Sequence, residues 1–273
     1  MPNSVRVDSL RIHPLKSGAI RALERSEVTP AGLTGDRRWM VVDAAGECVT
    51  ARNDRALVTI SAEPLPDEGL RLTSRSGRTV EVCRPLTSPS DSPARSVTVH
   101  GRDAAPGLPL DEPAQALVRE VLGRDDVTVL WCSDETVRRL NPDFSRDGDS
   151  TAYADGYPVT LASLASLREL NRLGDMDLPI DRFRPNIVID GDLTPFTEDT
   201  WRRVRIGEID FRVARGVDRC SMTLLDPDTL TTGAEPIRTL SKHRKWEGKT
   251  WFCVHLIPEG SGGLAVGDPV SIA

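Results

Sequence analysis

The sequence predicts a β-rich, mixed α/β fold, and three observations support that prediction. In the first hundred residues, short segments of alternating apolar and polar residues are separated by turns that contain Gly or Pro. Two segments with the apolar spacing of amphipathic helices follow, and strand-like segments return from residue 186 onward. At 273 residues the chain can form one large domain or two small ones.

Short strands at close spacing predict a barrel or a sandwich in the N-terminal part of the chain. The predicted strands are residues 5–12, 39–43, 57–61, 70–72 and 79–82. A polar segment that contains two prolines, residues 88–93, predicts a loop.

Two helices are predicted in the middle of the chain. Residues 111–123 begin with acidic residues, continue with helical spacing and end on a glycine, whereas residues 161–173 carry a leucine at every third position. The polar segment 134–156 between them is either a substrate loop or a plain surface loop. The later predicted strands are residues 186–190, 203–206, 209–213, 221–225, 251–257 and 269–272.

Charge and composition exclude several classes of protein. The net charge is −6, which argues against nucleic acid as a partner. No apolar run is long enough to span a membrane and no signal peptide begins the chain, so we expect a cytoplasmic protein without a membrane partner. The five cysteines form no C-x-x-C pair, which argues against zinc ribbons and iron–sulfur clusters. Only four of the 35 basic residues are lysines, a bias that a GC-rich genome produces without functional meaning.

One cysteine stands out by its neighbours. Cys220 follows a predicted strand, and Arg215 and Arg219 are close to it in sequence. Nearby guanidinium groups stabilise a thiolate, the form that binds metals or carries sulfur. The other four cysteines fall in or beside predicted strands, where a cysteine usually behaves as a small buried hydrophobe.

Three basic loops could bind an anion. They are residues 14–18, 35–39 and 182–186. Arginine presents forked donors that match phosphate or carboxylate, and the amide of Asn186 adds a further donor. Each loop alone could equally be an exposed basic turn, but together they suit an anionic ligand.

Eight short motifs follow one another from end to end of the chain. They are Ile12-His-Pro-Leu-Lys-Ser, Gly35-Asp-Arg-Arg-Trp-Met-Val-Val, Thr50-Ala-Arg, Arg182-Phe-Arg-Pro-Asn-Ile-Val-Ile, Arg219-Cys-Ser-Met-Thr, Asp226-Pro-Asp-Thr, Glu235-Pro-Ile-Arg-Thr-Leu and Val266-Gly-Asp-Pro-Val. This ordered set resembles the MOSC family, and most closely its members that reduce amidoximes and other N-hydroxylated bases. The resemblance implies a MOSC N-terminal β-barrel-like domain over residues 1–100 and a MOSC β-barrel domain with peripheral helices over residues 101–273.

The same resemblance implies a molybdenum cofactor, that is, molybdopterin carrying molybdenum, with Cys220 as the protein ligand to the metal. The cofactor-binding residues that it implies are Lys16, Ser17, Arg37, Gly156, Arg184, Asn186, Asp218 and Cys220. Cys220 is also the expected catalytic residue, and Asp218 and Tyr157 are expected catalytic residues as candidate proton donors near the metal.

The function implied is a molybdenum-dependent oxidoreductase that reduces small N-hydroxylated or N-oxide substrates. Since the last motif lies near residue 273, we expect no electron-transfer domain after it and a separate donor of ferredoxin, flavin reductase or cytochrome type. Two alternatives stay open at this point. One is a sulfur carrier with a persulfide on Cys220, and the other is a non-catalytic carrier of the molybdenum cofactor.

Overall fold

A computed structural model describes residues 4–85, 96–99 and 101–272. Within these ranges the chain forms three α-helices and twenty strands. The helices are α1 (Glu112–Leu122), α2 (Leu164–Gly174) and α3 (Ile237–His243). The strands are β1 (Arg6–Ile12), β2 (Arg21–Leu23), β3 (Arg25–Thr29), β4 (Gly32–Leu33), β5 (Trp39–Val42), β6 (Ser61–Pro64), β7 (Leu70–Thr73), β8 (Thr79–Val82), β9 (Thr98–Val99), β10 (Arg102–Asp103), β11 (Gly107–Pro109), β12 (Thr128–Cys132), β13 (Val159–Ser163), β14 (Ile187–Asp190), β15 (Arg203–Ile206), β16 (Ile209–Asp218), β17 (Lys245–Trp246), β18 (Lys249–Pro258), β19 (Gly262–Ala265) and β20 (Val270–Ile272). The predicted β-rich, mixed α/β fold is confirmed; the predicted loop at residues 88–93 lies outside the described residues.

The largest sheet joins the two ends of the chain. Its strand order is β2-β1-β14-β13-β18-β16-β15-β20, with β17 paired to β18. β13 and β14 run parallel, and the other neighbours are antiparallel. One apolar core lies against this sheet, and five of its strands each contribute a buried side chain: Leu10, Leu161, Ile187, Phe211 and Leu256.

Smaller sheets surround a second core. β6, β7 and β8 form a meander, whereas β5 pairs with β12, which in turn pairs with β11. Helix α1 packs here, because Leu117 belongs to the same buried cluster as Trp39, Leu57 and Trp131. Residues 107–132 therefore pack with the N-terminal strands. The division of the chain at residue 100 stays a prediction.

The bounds of the two predicted helices agree with the structure to different degrees. α1 agrees with the predicted segment and is followed by Gly123, whose φ of 63° is the left-handed geometry typical of the residue after a helix. α2 begins at residue 164 instead of 161. Leu161 lies in β13, where it is paired with Ile187 and Val254, so its pairing on both sides outweighs the helical pattern. The side chain of Ser163 caps the helix by accepting from the N–H of Ser166.

Two predicted strands are wrong. Residues 57–61 and 221–225 contain 3-10 turns, at Arg55–Thr59 and Ser221–Leu224. Leu57 and Val58 are consecutive and both buried, whereas a strand at a sheet surface would point them to opposite faces. Helix α3 was not predicted. No helix in the described part of the chain is long and apolar enough to cross a membrane.

Candidate functional site

Eight of the nine predicted site residues line one cleft, beside the ends of inner strands of the large sheet. They are Lys16, Ser17, Arg37, Gly156, Tyr157, Arg184, Asp218 and Cys220. They come from loops far apart in sequence: the segment after β1, the segment before β5, the approach to β13, the turn before β14 and the end of β16. The sheet order therefore assembles a site that the chain distributes over about two hundred residues.

Cys220 lies just beyond β16, at the start of a 3-10 turn. Its side chain is exposed, and Nη1 of Arg52 lies 3.6 Å from its Sγ. The carbonyl of Cys220 accepts from the N–H of Thr223 at 3.3 Å and from its hydroxyl at 3.1 Å, which fixes the turn. A thiol that faces the cleft beside a guanidinium is thus held in a defined position.

Arg37 is held by a buried polar network. Its Nη1 donates to the carboxylate of Asp36 and to Oδ1 of Asn186, at 3.0 Å from the latter. The backbone N–H of His13 donates to Asp36 at 2.7 Å. Burial alone would raise the pKa of Asp36, but the Arg37 guanidinium and the contact with His13 outweigh it and lower that pKa to about 2.

Asn186 does not line the cleft, and its expected role in cofactor binding stays a prediction. Its Oδ1 accepts from the N–H of Thr160 at 3.0 Å as well as from Arg37, and its Nδ2 donates to the carbonyl of Arg11 at 3.2 Å. The side chain is fully buried. With its oxygen occupied twice and its amide group donating inward, Asn186 orients Arg37.

Two cations at the cleft differ in their partners. Lys16 forms an ion pair with Asp155 and donates to the carbonyl of Tyr153 at 2.8 Å. Arg184 donates to the carbonyl of Gly18 at 2.9 Å, and its guanidinium makes no ion pair with any described residue. Burial, and the neighbouring positive charge of Arg37, lower the pKa of Arg184 to about 10. An anion bound beside Arg184 and Arg37 would offset the cost of burying the Arg184 charge next to a second positive charge.

Tyr157 and His255 form an aromatic pair on another wall of the cleft. Their ring centroids are 4.8 Å apart, and Nδ1 of His255 lies 3.4 Å from the hydroxyl of Thr160. Burial lowers the pKa of His255 to about 3, and burial raises the pKa of Tyr157 although Arg215 opposes it. At neutral pH the cleft therefore presents a protonated phenol next to a neutral imidazole.

Asp218, at the end of β16, is half exposed. Its carboxylate lies 4.0 Å from Nζ of Lys249. The pairing of β16 with β18 shifts register between Gly216 and Asp218, a β-bulge of the kind that redirects side chains next to functional sites. The bulge immediately precedes Cys220.

Among the other residues that line this cleft are Arg52, Asp155, Thr160 and His255, which were not predicted as site residues. A signal existed for Arg52, because it lies in the motif Thr50-Ala-Arg. None existed for His255, because its contact with Thr160 depends on the register of β13 against β18.

In the described part of the chain, no group of three or more His, Cys, Asp or Glu side chains could hold a metal ion. Cys220 is the thiol donor at the cleft, so a metal here would need further ligands from a bound group. The donor set fits an anionic, metal-carrying cofactor: one thiol for the metal, with Lys16, Arg37 and Arg184 for phosphate.

Two family models match the chain. The MOSC N-terminal beta barrel domain matches residues 4–125, and the MOSC domain matches residues 148–271. The chain therefore belongs to the MOSC family.

Curated relatives and a solved structure align over most of this length. The chain is 34% identical to mitochondrial amidoxime-reducing component 1 of Danio rerio, over 97% of this chain and 83% of that protein. It is 31% identical to mitochondrial amidoxime-reducing component 1 of Homo sapiens, over 97% of this chain and 82% of that protein. The crystal structure of the YuaD protein from Bacillus subtilis covers 99% of this chain and 94% of its own, at 11% identity and a TM-score of 0.45.

Proposed function

We propose that the chain is a molybdenum-cofactor-dependent oxidoreductase that reduces N-hydroxylated or N-oxide compounds. One observation carries the proposal: the exposed thiol of Cys220 shares a cleft with three cations, Lys16, Arg37 and Arg184, that suit an anionic cofactor. Amidoxime reduction in the relatives' names supplies the substrate class.

Different residues of the cleft would bind different parts of the cofactor. Cys220 would bind the molybdenum, while Arg37, Arg184 and Lys16 would hold the phosphate and the pterin, with Ser17 beside them. An added Cβ at Gly156 would meet no atom within 4 Å, so this position leaves open space in the cleft wall. When bound, the cofactor supplies a two-electron redox centre.

The reaction consumes two electrons and two protons. The N–O bond of the N-hydroxylated substrate breaks, its oxygen leaves as water, and the amine or amidine remains. Tyr157 and Asp218 both line the cleft and are the candidate proton donors. The electrons would come from a separate carrier protein.

Elemental analysis tests this function. Protein from a host that makes the cofactor should carry about one molybdenum per chain, and Cys220→Ala should lose most of it because the soft protein ligand is gone. Cys83→Ala is the matched control, since Cys83 is also exposed but does not line the cleft. Wild-type protein reduced with dithionite and methyl viologen should convert benzamidoxime to benzamidine.

Three results would contradict the proposal. Unchanged molybdenum in Cys220→Ala would exclude Cys220 as the ligand. A cyanide-labile sulfur on Cys220 in metal-free, active protein would favour a sulfur carrier. Tight cofactor binding without any benzamidoxime reduction would favour a cofactor carrier.

A further inference from the structure

The lysines of this chain are concentrated in one short segment. Three of its four lysines, Lys242, Lys245 and Lys249, fall within residues 242–249, although arginine is the basic residue nearly everywhere else. The segment contains four basic residues and one acidic residue, Glu247, whereas the whole chain has a net charge of −6. It runs from the end of α3 through β17 to the start of β18, and we call it the basic hairpin.

Three of the four basic side chains of the basic hairpin face solvent, whereas Arg244 is mostly buried and forms an ion pair with Asp199. Lys242, Lys245 and Lys249 are exposed, and neither Lys242 nor Lys245 forms an ion pair with any described residue. Nζ of Lys249 lies 4.0 Å from the carboxylate of Asp218, which is a weak ion pair. The hairpin is therefore a local positive patch on a negatively charged protein, which attracts an acidic partner.

An exposed tryptophan lies within this patch. Trp246 is 43% exposed, and its ring stacks on Trp251 with centroids 5.8 Å apart and an angle of 25°. Nε1 of Trp251 donates to the carbonyl of Trp246 at 3.1 Å, which ties the two residues together. An exposed Trp that is already held in place loses little entropy on binding, and Trp is enriched among residues that dominate interface energy.

The aromatic surface continues toward the cleft. The guanidinium of Arg215 lies 5.3 Å from the ring of Trp251 and 4.5 Å from the ring of Phe144, which is 38% exposed. The charge of Arg215 also opposes the effect of burial on the pKa of Tyr157, which lies in the cleft wall. A row of stacked side chains thus runs from the basic hairpin to Arg215, whose charge acts on a residue of the cleft wall.

The backbone brings the hairpin close to Cys220. The N–H of Arg219 donates to the carbonyl of Thr250 at 2.8 Å, and the hydroxyl of Thr250 donates to the carbonyl of Arg219 at 3.2 Å. Thr250 pairs with Lys245 on the next strand. Since neighbouring strands lie about 4.8 Å apart, Lys245 is on the order of 10 Å from the residue before Cys220. A carrier bound to the hairpin would therefore have a short path to the site.

We propose that the basic hairpin with Trp246 is the docking surface for the electron donor, and that this donor is a small acidic one-electron carrier protein of the [2Fe–2S] ferredoxin type. The inference rests on the proposed function. Two carriers, each oxidised by one electron in successive encounters, supply the two electrons that break one N–O bond. Such repeated encounters suit a small, charge-steered interface. An anionic membrane fits less well, because the ring of Trp246 lies against Trp251 and the rest of the chain is acidic.

The test compares two ways of reducing the same holoenzyme. A plant-type ferredoxin with its NADPH-dependent reductase provides the protein donor, and dithionite-reduced methyl viologen provides a chemical one. Lys242→Glu/Lys245→Glu should lower kcat/KM for ferredoxin at least tenfold at low ionic strength, while the viologen-driven rate stays unchanged. Added salt should slow the ferredoxin reaction of the wild type and affect the variant little.

A matched control and a second variant sharpen the test. Arg25→Glu/Arg202→Glu makes the same charge change at exposed residues outside the cleft and should keep the ferredoxin rate within about twofold of the wild type, since steering depends on charge near the docking site. Trp246→Ala should weaken ferredoxin binding and leave the viologen rate intact.

The outcomes separate this proposal from the function on which it rests. No viologen-driven reduction by the wild type would overturn the proposed function itself. Viologen-driven reduction with no ferredoxin-driven reduction, or a full ferredoxin rate in Lys242→Glu/Lys245→Glu, would overturn the docking proposal alone. Binding to phosphatidylglycerol vesicles that the double variant abolishes, without any change in the ferredoxin rate, would assign the patch to a membrane instead.

Discussion

Arg37 illustrates how single residues prepare the cleft. Its backbone has a φ of 49°, and its guanidinium is shared between Asp36 and Asn186. Asp36 in turn accepts from the N–H of His13, so the arginine is oriented from both sides before any ligand arrives. A side chain that is already oriented loses less entropy when it binds an anion.

The pH dependence of stability should reveal the buried carboxylate of this network. Because the pKa of Asp36 falls from 3.8 to about 2 on folding, its ionised form stabilises the folded state above pH 4, and this stabilisation is lost as the pH falls through about 2. We expect Asp36→Asn to lower the free energy of unfolding by about 2 kcal/mol at pH 7 and by much less near pH 2. Urea unfolding at several pH values measures this. Asp126→Asn, at an exposed ion pair, is the control and should change stability little; an equal loss at every pH would contradict the prediction.

A second residue-scale prediction separates binding from folding. Without an anion, Arg184 and Arg37 repel each other, so Arg184→Gln should change the free energy of unfolding of the cofactor-free protein by less than about 1 kcal/mol. The same change should weaken cofactor retention about tenfold or more, because a charge-assisted contact to phosphate is lost. Molybdenum content after dialysis measures retention, with Arg168→Gln as the surface control. Unaltered retention in Arg184→Gln would exclude Arg184 from the anion site.

At the scale of elements, strand pairing explains why distant loops meet. Antiparallel pairing sets Leu10, near the end of β1, opposite Ile187 at the start of β14, and β13 runs parallel to β14 on its other side. The turn that carries Arg184 thus lies beside the loop that carries Lys16 and Ser17. β18 then connects β13 to β16, which ends beside Cys220.

The contact between β4 and the approach to β13 gives a prediction about a glycine. Gly32 has a φ of +117°, and an added Cβ would lie 2.7 Å from the carbonyl oxygen of Pro158, the residue after Tyr157. Gly77 also has a positive φ, of +91°, but its Cβ would meet nothing within 4 Å. Gly77→Ala should therefore cost only backbone strain, on the order of 1 kcal/mol, whereas Gly32→Ala should cost roughly 1–3 kcal/mol more. Urea unfolding of both variants checks this; equal losses would mean that the contact with Pro158 relaxes freely.

At the scale of the whole molecule, the different exposure of the five cysteines provides a test of the fold. Cys83 and Cys220 are exposed, and Cys132 and Cys253 are buried. Burial raises the pKa of the latter two thiols to about 12. Iodoacetamide at pH 8 should therefore modify Cys83 and Cys220 in the native, cofactor-free protein and all five cysteines after unfolding, as mass spectrometry can establish. Labelling of Cys132 or Cys253 as fast as Cys83 would contradict the described packing.

Much of the fold could be predicted where a segment has one clear period. α1 has helical spacing, a glycine after its last turn and one buried face, and the predicted helix agrees with it. The predictions at residues 57–61 and 221–225 were wrong because short apolar runs do not distinguish a strand from a 3-10 turn. The leucine repeat predicts a helix that includes Leu161. In the structure the backbone at Leu161 pairs with strands on both sides, which a leucine repeat does not reveal.

The sequence by itself determined the secondary-structure class and the motif residues that gather at the cleft, because composition, periodicity and motif order are local properties of the chain. Only the tertiary structure decided that Asn186 accepts a hydrogen bond from Arg37, that His255 lies against Tyr157, and that the lysines lie near Cys220. These depend on which strands pair and in which register. Strand pairing depends on how the whole sheet buries its apolar face. It therefore cannot be read from any single segment of the chain.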